Sequence, residues 1–337
     1  MTVPAEAVPA GLVARLATPH KEPELVLAPS FRSGDFYSHG VDCPFVFRHQ
    51  GRLGMTVVGW DGTGYQTGLS WFDGSSWSTP ELVFGRDPDS EHRRYNAALT
   101  SIVRETDLRG SGELLCLDGW YYGTYHAYPD AGYEVGPGVV GIVRSRDLRT
   151  WEEHGALLRP EEGGDWEAGG LYKSWLMYTG GEFWLFYNAK DARPQGWQEQ
   201  TGAARSADLQ SWQRVSEEPL VRNGPTGAID DRFASDPCVL RDGDTWVMFY
   251  FGLCSDGRAR ETFAWSEDLR TWHRSEQVLV DVGPEGSIDS AYAHKPAVIT
   301  SGDRLEHYYC AVARLAEPVQ IGDFTQRERR GIALAHS

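Results

Sequence analysis

The feature that most constrains the fold is a repeat. SRDLRTW at 145–151, SADLQSW at 206–212 and SEDLRTW at 266–272 share the pattern Ser-x-Asp-Leu-x-x-Trp, spaced 61 and 60 residues apart. A looser copy, SWFDGSSW, occupies 70–77. A near-constant period of this size marks repeated supersecondary units, not two unlike domains. Five units of about 60–65 residues fill the 337-residue chain.

Each unit has the same internal order: an acidic turn region, a short apolar run, a Gly/Asp turn, an aromatic-rich run, then the motif. In the fourth, DPCVL (236–240) is followed by the turn RDGD and TWVMFYFG (245–252). The third pairs LYKSWLM with FWLFYNAK (183–190), and the first pairs DCPFVF with LGMTVVGW (53–60). Apolar runs of this length bounded by Gly and Asp are strand signals, and the tight turns imply hairpins. No long stretch carries helical periodicity. The 13 Trp, 15 Tyr, 13 Phe and 38 Gly fit strands and turns. The expectation is an all-β chain, a five-bladed β-propeller of four-stranded antiparallel blades. It forms one domain, with blades at roughly 30–80, 90–152, 166–213, 230–273 and 288–335. Residues 1–25 are an N-terminal extension, read as a strap over the outside, and the C-terminal FTQRERRGIALAHS as the outer strand that closes the ring. The motif reads as a turn between outer strands, with Leu and Trp packing between blades.

Charge and composition exclude several functions. With 32 Lys and Arg against 48 Asp and Glu, the net charge is −16. That opposes a nucleic-acid or anionic-membrane partner and suits a neutral polar one. No run approaches a membrane span. The start carries Glu6 and lacks a basic region before an apolar core, so no signal peptide is expected. Five Cys (43, 116, 238, 254 and 310) without C-x-x-C spacing read as free thiols in a reducing, cytoplasmic compartment. No nucleotide, zinc or hydrolase motif survives inspection, GPGVVG (136–141) lacking the strand–turn–helix context that would give it meaning. No cofactor is called for; a structural Ca²⁺ in the channel is compatible with the sequence but not demanded by it.

In a propeller the first strands line a central channel, so matching repeat positions face one another at its mouth. Aligned there, the units present Asp42, Asn96, Lys173, Asp236 and Lys295, where a scaffold position would repeat an apolar residue. The chain has only four Lys (21, 173, 190 and 295), and two fall at this position. Six residues earlier, units three to five carry Glu167, Asp230 and Asp289, which turn-forming or strand-capping roles would also explain. Converging opposite charges shift one another's pKa. Carboxylates so split into a proton donor and acceptor are what cleaving an acetal requires. Trp166, Tyr172, Tyr95, Tyr292 and Trp60 are candidate sugar platforms, and His294 and Arg232 candidate substrate contacts.

The block around Asp42, the recurring motif and DPCVLRDGDTWVMFY (236–250) resemble the five-bladed propeller glycoside hydrolases, families 43, 32, 62, 117 and 130, over about residues 30–315. The resemblance implies a glycosidase, by analogy inverting, that removes a terminal sugar from a small oligosaccharide. It implies Asp42 as base or nucleophile, Asp236 as the second Asp, and Glu167 as the acid, with Asp289 and His294 as rivals. The order Asp, Glu, Asp departs from the Asp, Asp, Glu of families 43 and 32. Lys173, Lys295, His294 and Arg232 would hold phosphate in a family 130-like phosphorylase, and a non-catalytic sugar-binding propeller is the third reading.

Overall fold

The computed structural model describes residues 7–337. The described chain is all-β apart from one α-helical turn, α1 (Leu12–Leu16), and a single 3-10 turn. The strands fall into five antiparallel groups. The first holds β2 (Gly40–His49), β3 (Arg52–Trp60), β4 (Tyr65–Trp71) and β5 (Glu81–Phe84). The second holds β6 (Ala98–Ile102), β7 (Tyr121–Ala127), β8 (Val139–Ser145) and β9 (Glu152–Leu158). The third holds β10 (Gly170–Thr179), β11 (Glu182–Lys190), β12 (Glu199–Ser206) and β13 (Gln213–Arg214). The fourth holds β14 (Phe233–Asp242), β15 (Thr245–Leu253), β16 (Ala259–Ser266) and β17 (His273–Arg274). The fifth holds β18 (Tyr292–Ser301), β19 (Arg304–Ile321) and β20 (Phe324–His336), with β1 (His20–Lys21) outermost. First strands pack in succession, β2 on β6, β6 on β10, β10 on β14, β14 on β18, and β18 on β2.

The repeat motif forms the turn after the third strand in groups two, three and four. The Ser145, Ser206 and Ser266 hydroxyls accept the amides of Leu148, Leu209 and Leu269, and Asp147, Asp208 and Asp268 accept the next two amides. Each Leu is held at a left-handed φ of 63–64° and buried. That conformation is costly for a non-glycine residue, and the side-chain caps with Leu burial offset it.

The chain termini differ from expectation. The C-terminal strand β20 is third in its group, and the N-terminal β1 is the outermost strand, pairing His20 with His336 and Lys21 with Ala335. The N-terminal segment also does more than strap the outside. Leu12 and Leu16 of α1 are fully buried in the core with Phe45, Trp175 and Phe249, and Arg15 pairs with Asp242 at the end of β14, 2.6 Å away. Segment 104–117 joins it there. Leu108 donates its amide to Arg241, and Thr300 its hydroxyl to Leu108. Arg104 lies between the Phe45 and Trp175 rings and bonds the Val298 carbonyl at 2.6 Å. One end of the first strands is thus covered by α1 and segment 104–117. Among the described residues no helix is long and apolar enough to cross a membrane, and all five cysteines are free.

Candidate active site

The site is built by one irregularity repeated in every first strand. Each carries an extra residue that breaks its pairing with the second strand: between Asp42 and Phe45, Leu99 and Ser101, Tyr172 and Ser174, Ser235 and Cys238, and His294 and Ala297. A bulge turns a side chain away from the pleat toward the open end. Cys43, Asp236 and Lys295 occupy it with left-handed φ of 44°, 62° and 65°, each followed by a proline, a residue tolerated at bulges because it donates nothing to the ladder. The strain, about 1–3 kcal/mol per residue, concentrates at functional sites.

This register corrects the sequence alignment. Cys43 is the counterpart of Asp236, Lys295 and Lys173, and the extra residue of the second group is Thr100. Asp42 stands one residue earlier, beside Ser235, His294 and Tyr172. A one-residue slip moves a side chain to the other face. Asn96 lies four residues upstream of Thr100, where its side chain accepts the Tyr65 amide at 2.8 Å and fastens group one to group two.

Above the bulges lies a cavity of about 250 Å³, lined by Asp236, Lys173, Lys295, His294, Arg330 and Cys43, and by Glu199, Glu134 and a ring of aromatics. Tyr172 and Tyr292 belong to that ring, Trp60 to an adjoining pocket, and Tyr95 and Trp166 to neither. Asp236 is 3% exposed, and its Oδ2 has no hydrogen-bond partner. Burial pushes its carboxyl up to about 7, with Glu199 and Asp42 adding to the rise and Lys295 and Lys173 opposing it. Glu199 is also buried and raised, by burial and by Glu134. Unlike Asp236, it is held by donors: Ser235 Oγ at 2.8 Å and Trp197 Nε1 at 3.0 Å. The Tyr65 and Tyr128 hydroxyls and His126 Nδ1 line the same space, buried and without partners in the protein. Buried polar groups are nearly always satisfied, so this concentration marks a place where a polyhydroxylated ligand completes the bonding.

Asp42 anchors the wall. Its Oδ2 accepts Lys295 Nζ at 3.0 Å and Arg330 Nη1 at 3.1 Å, and its Oδ1 accepts the Cys43 amide. Burial alone would raise its pKa, but Lys295, Arg330 and His294 bring it well below the usual range. His294 points Nδ1 at the Cys310 carbonyl (2.9 Å) and Nε2 at Arg330 (3.3 Å). Those partners assign the proton to Nδ1 and the lone pair to Arg330; burial and Arg330 lower its pKa to about 3. A neutral imidazole that donates its proton to a backbone carbonyl is not placed to protonate a leaving group. Asp42, His294 and Cys310 bring ligand atoms within 4.8 Å of one another. Two cations already occupy their lone pairs, however, and a thiol and an imidazole do not suit Ca²⁺. Lys173, 2% exposed, has no hydrogen-bond partner among the described residues and faces the cavity.

The acids six residues before the ring position lie elsewhere. Glu167 is gripped by Arg214 and the Tyr187 hydroxyl (2.7 Å), Asp230 by Arg274 and Tyr250 (2.8 Å), and Asp289 by Lys21 and Tyr309 (2.9 Å). In all three the Tyr follows the acid by 20 residues. These are latches joining first turn, second strand and outer edge; β1 supplies the cation in the fifth group. None lines the cavity. Trp166 stacks on Tyr187 and bonds the Glu217 carbonyl, and Arg232 lies over Phe233, both outside the cavity lining. Replacing Tyr187 by Phe should lower unfolding free energy by about 1.5–3 kcal/mol, the worth of a hydrogen bond to a charged group, with turnover retained. A denaturant titration beside an activity assay checks this; lost turnover at unchanged stability would return Glu167 to the chemistry.

Glu199, Arg330 and Glu134 are the charged lining residues that the repeat alignment did not reach. Glu199 had a legible signal. Counting seven residues back from the motif serine gives Gly138, Glu199 and Ala259, and Glu199 and Ala259 make the same parallel pairing to the next group, with Phe233 and Tyr292.

Comparison with known proteins places the chain among glycoside hydrolases. The model of the glycosyl hydrolases family 32 N-terminal domain matches residues 111–287. A solved structure named "Glycoside hydrolase" is 28% identical, superposes with a TM-score of 0.79, and shares 98% of this chain and 96% of its own. Another, a complex named for BT0996 and RGII, is 28% identical with a TM-score of 0.78 over 96% of this chain and 95% of that one. A structure of the GH130 family of mannoside phosphorylases and hydrolases, 15% identical with a TM-score of 0.63 over 98% of this chain and 96% of that one, shares the fold. No curated protein matches.

Proposed function

The chain belongs to the family of glycosyl hydrolases family 32 N-terminal domains and is a glycosidase, and from that premise we propose that it removes a single terminal sugar with Asp236 as general acid and Glu199 as the facing carboxylate. The observation that carries this is the pairing of the two in one cavity. Asp236 has no donor to hold it ionised and a pKa of about 7, whereas Glu199 is held by Ser235 and Trp197. Two carboxyl groups, one without a donor and one held by two, divide into a donor to the leaving oxygen and an acceptor or nucleophile at the anomeric carbon. The five groups are the five blades of one ring, a reading supported by the cycle of first-strand contacts. A cavity of about 250 Å³ falls below the ~300–1,000 Å³ of drug-sized clefts, which suits one sugar ring and exo-cleavage. Asp42 is a positioning residue, fixing Lys295 and Arg330; Lys173 meets the substrate.

Water, not phosphate, is the second substrate in this reading. Of the four groups a phosphate site would use, Lys295 and His294 are already bonded, Arg232 lies outside, and Lys173 alone remains. The sugar is one carried by a small oligosaccharide, and RGII, named in the complex with a 28% identical neighbour, is a substrate to include. The test is a screen of aryl arabinofuranoside, xyloside, galactoside, fructoside and mannoside, with and without phosphate. Turnover should be independent of phosphate and fall about 10²–10⁴-fold in Glu199→Gln, the range for loss of a positioned acid or base. Turnover that requires phosphate, or that survives in Glu199→Gln, would refute the mechanism.

A further inference from the structure

Beside the cavity runs a groove of about 1100 Å³, between the 281–291 segment and the β19–β20 hairpin. Arg258, Arg314 and Arg329 line it, and among the described residues their guanidinium groups make no hydrogen bond or ion pair. Their neighbours behave otherwise. Arg260 is bonded to Asp256 and Asp281, and Arg330 to Asp42 and Glu328. In a chain of net charge −16 partners are plentiful. Glu285 and Glu317 line the same groove without pairing, and Asp281 is already held by Arg260. Three guanidinium groups without a partner in the described protein therefore line one concavity, open to an anion from solution.

The groove also has a fixed relation to the cavity. Arg258 precedes Ala259, Ala291 precedes Tyr292, and Arg329 precedes Arg330, the first of each pair lining the groove and the second the cavity. The two spaces are thus lined by residues adjacent in the chain, ~3.8 Å apart from Cα to Cα. A saccharide whose terminal ring sits in the cavity and whose chain leaves toward Arg330 has its following residues near the groove.

We propose that the groove is a subsite for an anionic sugar, a uronate or a sulfated residue, borne by the oligosaccharide whose terminal ring is cleaved. The placement rests on the glycosidase reading of the cavity. Planar guanidinium groups match carboxylate and sulfate oxygens in bidentate fashion, and Glu285 and Glu317 accept the hydroxyls of the same residues.

Calorimetric titration of the full chain with trigalacturonic acid, its methyl ester and a sulfated galactose disaccharide tests this. At least one anionic probe should bind, the ester should not, and the preference between the two anions identifies the source. Arg258→Gln, Arg314→Gln and Arg329→Gln combined should weaken binding about tenfold or more, and the two exposed single variants, Arg258→Gln and Arg314→Gln, each by less. Arg222→Gln, on an exposed ion pair outside the groove, should leave it unchanged. Equal binding of the ester, unchanged binding in the triple variant, or no binding of either anion overturns the subsite. Asp236→Asn should keep the binding while losing aryl-glycoside turnover. Arginine-dependent binding without any glycoside turnover in the wild type would sink the cleavage mechanism alone, and turnover without binding would sink the groove alone.

Discussion

Asp236→Asn should lose aryl-glycoside turnover by about 10²–10⁴-fold and at the same time melt at a higher temperature than the wild type at neutral and alkaline pH. Both follow from one fact: burial, with Glu199 and Asp42 nearby, raises the carboxyl from 3.8 to about 7. As an acid the group must be protonated, so wild-type kcat/KM should fall as pH rises through about 7. The stability effect has the opposite sign for the ionised group. Between pH 4 and 7 the native state binds more protons here than the unfolded state, so stability declines as pH rises across that window and the full penalty is present above it. About three pKa units correspond to up to about 4 kcal/mol. Asparagine carries no charge and escapes the penalty. A pH–rate profile and melting curves at pH 5 and 8 check the pair of effects. A variant that keeps turnover, or a wild-type profile flat between pH 6 and 8, would remove Asp236 from the acid's role.

The repeat made most of the architecture legible. Its period located the five strand groups, its Ser, Asp and Leu explained a turn that recurs unchanged, and ionisable residues in register led to Lys173, Asp236 and Lys295. What failed was finer than a period. Anchoring the first repeat on its aspartate in place of its proline set Asp42 against Asp236. The prolines, Pro44, Pro237 and Pro296, mark the bulge and put Cys43 there. Asp42 nevertheless borders the site, because the residue before the bulge reaches Lys295 on the adjacent first strand, β18. Glu167 and Asp289 misled for another reason. A repeated acid reads equally as a catalytic or a structural group, and only the Tyr 20 residues on and a cation from a distant edge strand separate the two. Arg330 was out of reach, because its partner Asp42 lies 288 residues away on the first strand of the first group.

Asp42→Asn is expected to act chiefly on folding, not on the chemical step. Asp42 is the one carboxylate bonded to both Lys295 and Arg330, each largely buried at 11% and 12% side-chain exposure. Asparagine keeps the shape and can still accept the Cys43 amide, but it leaves Lys295 without its ion-pair partner and Arg330 with Glu328 alone. Breaking a buried ion pair by removing one partner costs about 3–5 kcal/mol, because the remaining charge stays desolvated. The linkage gives a second signature. Lys295, Arg330 and His294 hold the folded-state pKa of Asp42 well below its ordinary value against the opposing effect of burial. Its contribution is therefore fully present above pH 4 and is lost as pH falls through the folded pKa. The gap between wild type and Asp42→Asn should be widest at neutral pH and close in acid. Turnover should fall too, since Lys295 and Arg330 form the cavity wall beside Asp236. Asp42→Asn with Lys295→Met should recover part of the lost stability, because it removes one stranded charge. Guanidinium titrations of the wild type, the single and the double variant at pH 7 and in steps below pH 4 decide the matter: a single variant with wild-type stability and no turnover would make Asp42 a reacting group instead of the anchor of the wall.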